Sequence, residues 1–240
     1  MSKTKLLYLE EFTRLESPAT VAEVMRENDR DVAILDQTIF YPQGGGQPFD
    51  MGVIDSPSGE FIVEEVRFID GEVRHIGKGT LRVGDSVVCH VDKERRMLNA
   101  RIHSAGHLVD KAIADLNLPW KPGKGYHFPN GPYDEYEGSL EGIDKEKIKS
   151  DIERLCNECI KKGGKTEVIF MTKEEMQKVC RYAPDFPEEK ETRARIVIHD
   201  SFSMPCGGTP VADLSEIRSM TIRKIKPEGS NIRVGYDVER

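Results

Sequence analysis

The sequence predicts an α+β protein: a small N-terminal β-barrel over residues 1–90, then a C-terminal α+β domain with a mainly antiparallel sheet over residues 91–240. Three observations predict it. Short apolar runs separated by turn residues fill the first ninety positions, as in small barrels. An apolar stripe at helical spacing follows directly after Asp92. Beyond it, helical and strand patterns alternate without the regular βαβ order of a parallel sheet.

The first strands are expected at Leu6–Leu9, Thr20–Val24 and Asp31–Asp36. Others follow at Gly52–Ile54, Phe61–Val66, Gly71–Ile76 and Gly84–Val91, with Asp-Ser-Pro-Ser-Gly and Asp-Gly turn signals between them. Asp92 then suits a helix N-cap, with Glu94 in the first turn. Met97, Leu98, Ile102, Ala105, Leu108, Val109, Ala112, Ile113 and Leu116 form the apolar stripe of that helix. Pro119 and Pro122 are expected to end it. Residues 120–140 read as irregular and aromatic. Ile143–Lys161 is an amphipathic helix stopped by Gly163-Gly164, and Thr166–Met171 is a strand. Thr172 caps a short helix to Cys180, with Glu175 completing a capping box. Pro184–Glu191 reads as a loop, and Arg195–His199 as a strand. Two last strands, near Ile217–Ile225 and Ile232–Val238, are joined at Pro227-Glu228-Gly229-Ser230. No internal repeat or low-complexity tract is present.

Composition narrows the classes. At 240 residues, 38% hydrophobic and 32% charged, the chain can bury a real core. No run approaches the ~20 apolar residues of a membrane span, so no membrane association is expected. Glu10, Glu11 and Arg14 interrupt any secretory h-region. Five cysteines without paired spacing point to a reducing, cytoplasmic setting. A net charge of −7 argues against a general nucleic-acid coat but leaves room for local basic clusters. Such clusters occur around Lys93, Arg95, Arg96 and Arg101, and again from Arg218 to Arg233.

Two motifs carry chemistry. His103-Ser104-Ala105-Gly106-His107 puts two imidazoles on one helical face, within reach of one metal ion. Cys206 in the Cys206-Gly207-Gly208-Thr209-Pro210 turn offers a soft third donor, and the set His103, His107 and Cys206 points to zinc. A third stretch, Gly44-Gly45-Gly46, is bracketed by Pro42 and Pro48 and by Thr38, Gln47 and Asp50. Three glycines there permit positive φ and close approach of another backbone or a ligand. Cys156 and Cys159 form C-x-x-C in mid-helix and read as helix cysteines, not as a metal or redox pair.

Phe40–Gly52 with its glycine run, His103-x-x-x-His107, and Pro205-Cys206-Gly207-Gly208-Thr209 together resemble the AlaX family, free-standing relatives of the alanyl-tRNA synthetase editing domain. The likeness covers nearly the whole chain in the same order. It implies a barrel followed by an editing domain. It also implies hydrolysis of the ester that joins a wrong amino acid, serine or glycine, to the 3′ end of alanine tRNA. The family's metal motif is H-x-x-x-H with C-x-x-x-H. His103, His107 and Cys206 match it, and Pro210 stands at the fourth position. Two consequences follow: zinc on three protein donors plus water, or a weakened, tRNA-binding module. His199 and Cys180 remain open as substitute donors, as does the choice between water activation and substrate positioning by zinc. Thr38 and Gln47 are expected to read the serine hydroxyl, since both offer donor and acceptor groups. Gly44, Gly45, Gly46, Asp50, Gly207, Gly208 and Thr209 are expected to line the substrate. Arg95, Arg96, Arg101, Arg223 and Lys224 are expected on tRNA phosphates. No obligate protein partner is implied.

Overall fold

A computed structural model describes residues 4–184 and 193–239. The chain divides into two compact units, Met1–Met97 and Leu98–Arg240. Each is described by itself. The expected loop at Pro184–Glu191 lies outside the described residues except for Pro184.

Eight strands belong to the first unit: β1 (Lys5–Leu6), β2 (Glu16–Glu27), β3 (Arg30–Leu35), β4 (Gln37–Thr38), β5 (Gly52–Ser56), β6 (Gly59–Ile69), β7 (Glu72–Gly79) and β8 (Ser86–Val91). Six of them close a barrel in the order β2-β3-β7-β6-β5-β8. Every neighbouring pair in it is antiparallel. Strand alternation explains the closure. Ala19, Val21, Ala33, Leu35, Val63, Val73, Val87 and Cys89 bury one face, while Thr20, Ile62 and Val88 beside them stay exposed. Register shifts at Val21/Glu23 and Val63/Glu65 add the local bend a small barrel needs. Asn28-Asp29 and Asp70-Gly71 take positive φ and turn the β2–β3 and β6–β7 hairpins. The expected first strand is cut short: after Leu6 the chain winds into a 3₁₀ turn over Leu7–Leu9.

The helix α1 (Lys93–Asp115) follows, and Asp92 caps it by accepting from Arg95 N at 3.0 Å. The prolines do not end it. Asn117 does so earlier, in the left-handed region at φ 53°, with Leu118 N donating to Ile113 O at 3.2 Å.

The second unit continues with β9 (Lys121–Tyr126), β10 (Tyr133–Glu137), α2 (Lys145–Lys162), β11 (Thr166–Met171), α3 (Lys173–Val179), β12 (Ala194–His199), β13 (Phe202–Pro205), β14 (Met220–Glu228) and β15 (Asn231–Val238). Two antiparallel sheets result, β14-β15-β10-β9 and β11-β12-β13. The stretch expected to be irregular is the β9–β10 pair. Its aromatics hold the strands together, with Tyr126 stacked on Tyr133 at 5.1 Å and Trp120 and Tyr136 buried. α1 places Ala105, Leu108, Val109, Ala112 and Ile113 in one core with Ile152, Cys156 and Ile160 of α2 and Ile222, Val234 and Tyr236 of the larger sheet. Cys156 is therefore core, and Cys159 packs beside it. The capping box at Thr172 and Glu175 forms as expected and starts α3, whose Met176 packs on Ile196 of β12. Among the described residues no helix is long and apolar enough to cross a membrane.

Candidate metal centre

Helical periodicity brings His103 and His107 onto one face of α1, with ring centroids 4.8 Å apart. Cys206 arrives from the other end of the unit. Strand β12 pairs with β13 so that Ile196 faces Pro205, and the next residue is Cys206. Cys206 N donates to Arg195 O at 3.1 Å, and Arg195 Nη1 donates to Cys206 O at 2.5 Å. Ser104 Oγ accepts from Val211 N at 3.1 Å, which ties the end of the cysteine turn to α1. The result is a group of three donors, one from each of His103, His107 and Cys206, all within 4.8 Å of one another.

The electrostatics of the group suit a metal. Burial pushes His103 and His107 well below the ordinary imidazole range, so both rings are neutral and keep a lone pair. Burial pushes the Cys206 thiol up; Arg195 and the Gly208 N–H pull the other way. Gly208 N donates to Cys206 Sγ at 3.2 Å. A neighbouring cation and a backbone donor are the features that stabilise a thiolate once its proton leaves. Two neutral imidazoles and one sulfur form a donor set that fits zinc.

Gly106 makes this packing feasible. A Cβ there would lie 2.7 Å from His127 Cε1, 2.9 Å from Tyr236 Oη and 3.0 Å from Asp134 Oδ2. His127 stacks on His103 with centroids 4.5 Å apart. Tyr236 donates its one hydroxyl proton to Ile102 O at 3.0 Å, so His127 Nδ1, 2.8 Å from the Tyr236 oxygen, is the donor of that pair. Arg195 and His127 had no sequence signal, since sheet register and not spacing carries them to the centre. Of the two substitute donors left open, Cys180 packs with Met176 and Ile196 and is not in the donor group. His199 stands beside His107, with centroids 5.3 Å apart, but outside the three converging donors. Pro210 is buried, as are Gly208 and Thr209, while Gly207 is exposed with open space around it.

Several expected substrate residues are committed within the first unit. The Thr38 hydroxyl lies 2.8 Å from His75 Nε2, whose Nδ1 donates to Ala33 O at 3.1 Å. The hydroxyl proton therefore goes to His75, and the oxygen also accepts from Phe40 N at 3.1 Å. Thr38 therefore has no proton to give a serine hydroxyl and keeps one lone pair on a fully buried side chain. Gln47 is fully buried. Asp50 is also fully buried, paired with the Arg96 guanidinium and accepting from Tyr41 N at 2.6 Å. Arg96 is 2% exposed and also donates to Ile39 O and Phe12 O. Enclosure and four acceptor contacts leave it no face for a phosphate, unlike Arg95 and Arg101, which are half-buried, and Arg223 and Lys224, which are exposed. Arg95 lies over the Phe49 ring at 5.1 Å. Gly44, Gly45 and Gly46 form a hairpin turn: Gly44 and Gln47 exchange both backbone bonds, and Gly45 and Gly46 sit at φ 49° and 76°. The positive φ that the glycines permit is used by the turn itself.

Residues 4–95 match the family model for tRNA synthetases class II (A). Over 245 residues the chain is 30% identical to the alanyl-tRNA editing protein AlaX-M of Methanosarcina barkeri (strain Fusaro / DSM 804), covering 97% of this chain and 98% of that protein. It is 31% identical over 233 residues to the protein of the same name from Pyrococcus horikoshii (strain ATCC 700860 / DSM 12428 / JCM 9974 / NBRC 100139 / OT-3), covering 94% and 92%. A 117-residue stretch, 47% of the chain, is 40% identical to 12% of the alanine–tRNA ligase of the same Methanosarcina strain.

Proposed function

The chain belongs to the AlaX family of alanyl-tRNA editing proteins, and from that premise we propose that it deacylates alanine tRNA mischarged with serine or glycine, using zinc held by His103, His107 and Cys206. The observation that carries the reading is the convergence of those three donors in a chain of this family. Water adds to the ester carbonyl, the bond to the ribose oxygen breaks, and free amino acid and tRNA leave. Bound zinc supplies Lewis-acid polarisation and a fixed anchor for oxygen groups of the substrate.

The remaining work falls to the chain's own residues. His103 and His107 stay neutral and would hold the ion through their lone pairs. Arg195 and the Gly208 N–H balance the charge on the Cys206 sulfur. The exposed Gly207 leaves the turn open to a bulky substrate. Arg95, Arg101, Arg223 and Lys224 are assigned to tRNA phosphates, which position the substrate without reading its sequence. Such an enzyme is needed because an alanine pocket rejects a missing methyl or an added hydroxyl by only ~1–3 kcal/mol. We place the protein in the cytoplasm, where translation proceeds.

Pro210 gives a second reading its footing: without a side-chain donor at that position, the chain is an editing-like module that binds tRNA without turnover. Metal analysis of the purified protein, together with release of serine from seryl-tRNA(Ala) and glycine from glycyl-tRNA(Ala), decides between them. About one zinc per chain with turnover is expected. No zinc, no turnover and retained tRNA binding would establish the module.

A further inference from the structure

Among the described residues, two buried histidine nitrogens at the centre have no hydrogen-bond partner: His107 Nδ1 and His199 Nε2. Buried polar atoms without partners are few in folded proteins and call for a cause. The two belong to neighbouring rings, 5.3 Å apart between centroids. An N–H···N bond of about 3 Å between two imidazoles sets their centres roughly 5 Å apart, so the spacing of the two rings suits such a bond. The other nitrogen of His199 is already placed, with Nδ1 3.1 Å from Thr166 Oγ1. Strand pairing puts it there, since Thr166 of β11 lies directly opposite His199 of β12.

We propose that His199 is a positioning residue for His107: Thr166 Oγ1 accepts the Nδ1–H of His199, and His199 Nε2 accepts the Nδ1–H of His107. The relay fixes His107 as the tautomer whose Nε2 carries the lone pair, and so aims that nitrogen at the metal. It rests on the reading of His103, His107 and Cys206 as a zinc site. His199 stands outside the converging donors and therefore acts through His107 and not on the ion. Ligating histidines commonly hand their second N–H to such an acceptor, and losing it lowers metal affinity about 10–100-fold. With proline at 210, three donors carry the ion, and the aim of each matters more.

The test combines long-range ¹H–¹⁵N spectra of histidine-labelled protein with zinc affinity from chelator competition. In the wild type, His107 and His199 should both be protonated on Nδ1. His199→Phe should move His107 toward the Nε2–H form and weaken zinc about 10–100-fold. His199→Gln, whose carbonyl can still accept, should restore most of both. A wild-type His107 protonated on Nε2 overturns the proposal. So does a folded His199→Phe protein with unchanged tautomer and affinity, or cadmium-113 coupling to a His199 nitrogen. Should His199→Phe not fold, Thr166→Val reads the same relay with a smaller expected loss. A wild type that takes up no zinc sinks the metal reading alone, because the tautomers of the metal-free protein still decide the relay.

Discussion

The Cys206 sulfur lies 3.2 Å from His103 Nε2, across 103 residues of sequence. The contact joins a helix face to a turn that follows a strand, and nothing local in the chain demands it. Removing either partner should abolish metal uptake and leave the cores intact. Cys206→Ala and His103→Ala are expected to lose zinc and about 100-fold or more in deacylation of seryl-tRNA(Ala), above the roughly 10–100-fold that loss of a ligand's supporting partner costs. Metal analysis and single-turnover assays check this. Full activity in the double variant would rule out the metal mechanism.

Gly106 should tolerate no side chain. Its Cβ would press on His127, Tyr236 and Asp134, all buried, with His127 hydrogen-bonded to Tyr236 and Tyr236 to Ile102 O. Alanine normally favours a helix, by about 1 kcal/mol over glycine. Here overpacking at a cost of about 1–3 kcal/mol should reverse the sign. Gly106→Ala is therefore expected to lower the urea midpoint, where an exposed helical glycine would raise it.

Asp50 and Arg96 form a buried ion pair in the first unit, at 0% and 2% exposure. Removing one partner strands the other, which costs about 3–5 kcal/mol. Arg96→Leu or Asp50→Leu should each unfold much of the protein at 37 °C. The double Leu variant should lose less than the sum of the two, as measured by denaturant titration.

Elements fixed by local rules were legible in the sequence. The capping box at Thr172 and Glu175, the turn at Asp70-Gly71 and the alternation of the barrel strands depend on residues a few positions apart. The β9–β10 pair was hidden because Pro122, Gly123 and Gly125 lie inside β9 and read as loop, whereas stacking of Tyr126 on Tyr133 holds it as strand. At the centre, the helical spacing of His103 and His107 was visible. Arg195, His127 and the His199–His107 neighbourhood were not, because they depend on sheet register. Arg96 was read as a surface cation through its neighbours Lys93 and Arg95. Yet Arg96, Ala100, His103 and His107 follow one helical face, and that periodicity marks Arg96 as an inward residue.

Phosphate contacts predict a salt signature. Log affinity for tRNA should fall linearly with log salt, and each contact removed should reduce the slope by roughly 0.7–0.9. Lys224→Ala and Arg223→Ala should flatten it. Arg96→Met, if it folds, should leave it unchanged, because that guanidinium is enclosed. Filter binding across 50–300 mM salt separates the two classes, and an unchanged slope in Lys224→Ala removes that residue from the tRNA contacts.

Acid should destabilise the first unit through His75. Burial holds this imidazole at about 4, against 6.5 for the free group. Between those values the unfolded chain binds a proton that the folded chain refuses, so stability falls as pH drops from about 6.5 to 4 and levels off below. His127 and His199, also held at about 4, act in the same sense. Asp110, raised to about 7 by burial, and Asp134, also raised by burial, act in the opposite sense. The total curve therefore mixes signs, and a difference experiment isolates one group. His75→Gln removes a titrating site while keeping a side chain that can bond to Thr38 and Ala33. Its unfolding free energy should depend on pH less steeply than that of the wild type by one proton, about 1.4 kcal/mol per pH unit, in the window from 6.5 to 4. Parallel curves would show that His75 is not held neutral in the fold.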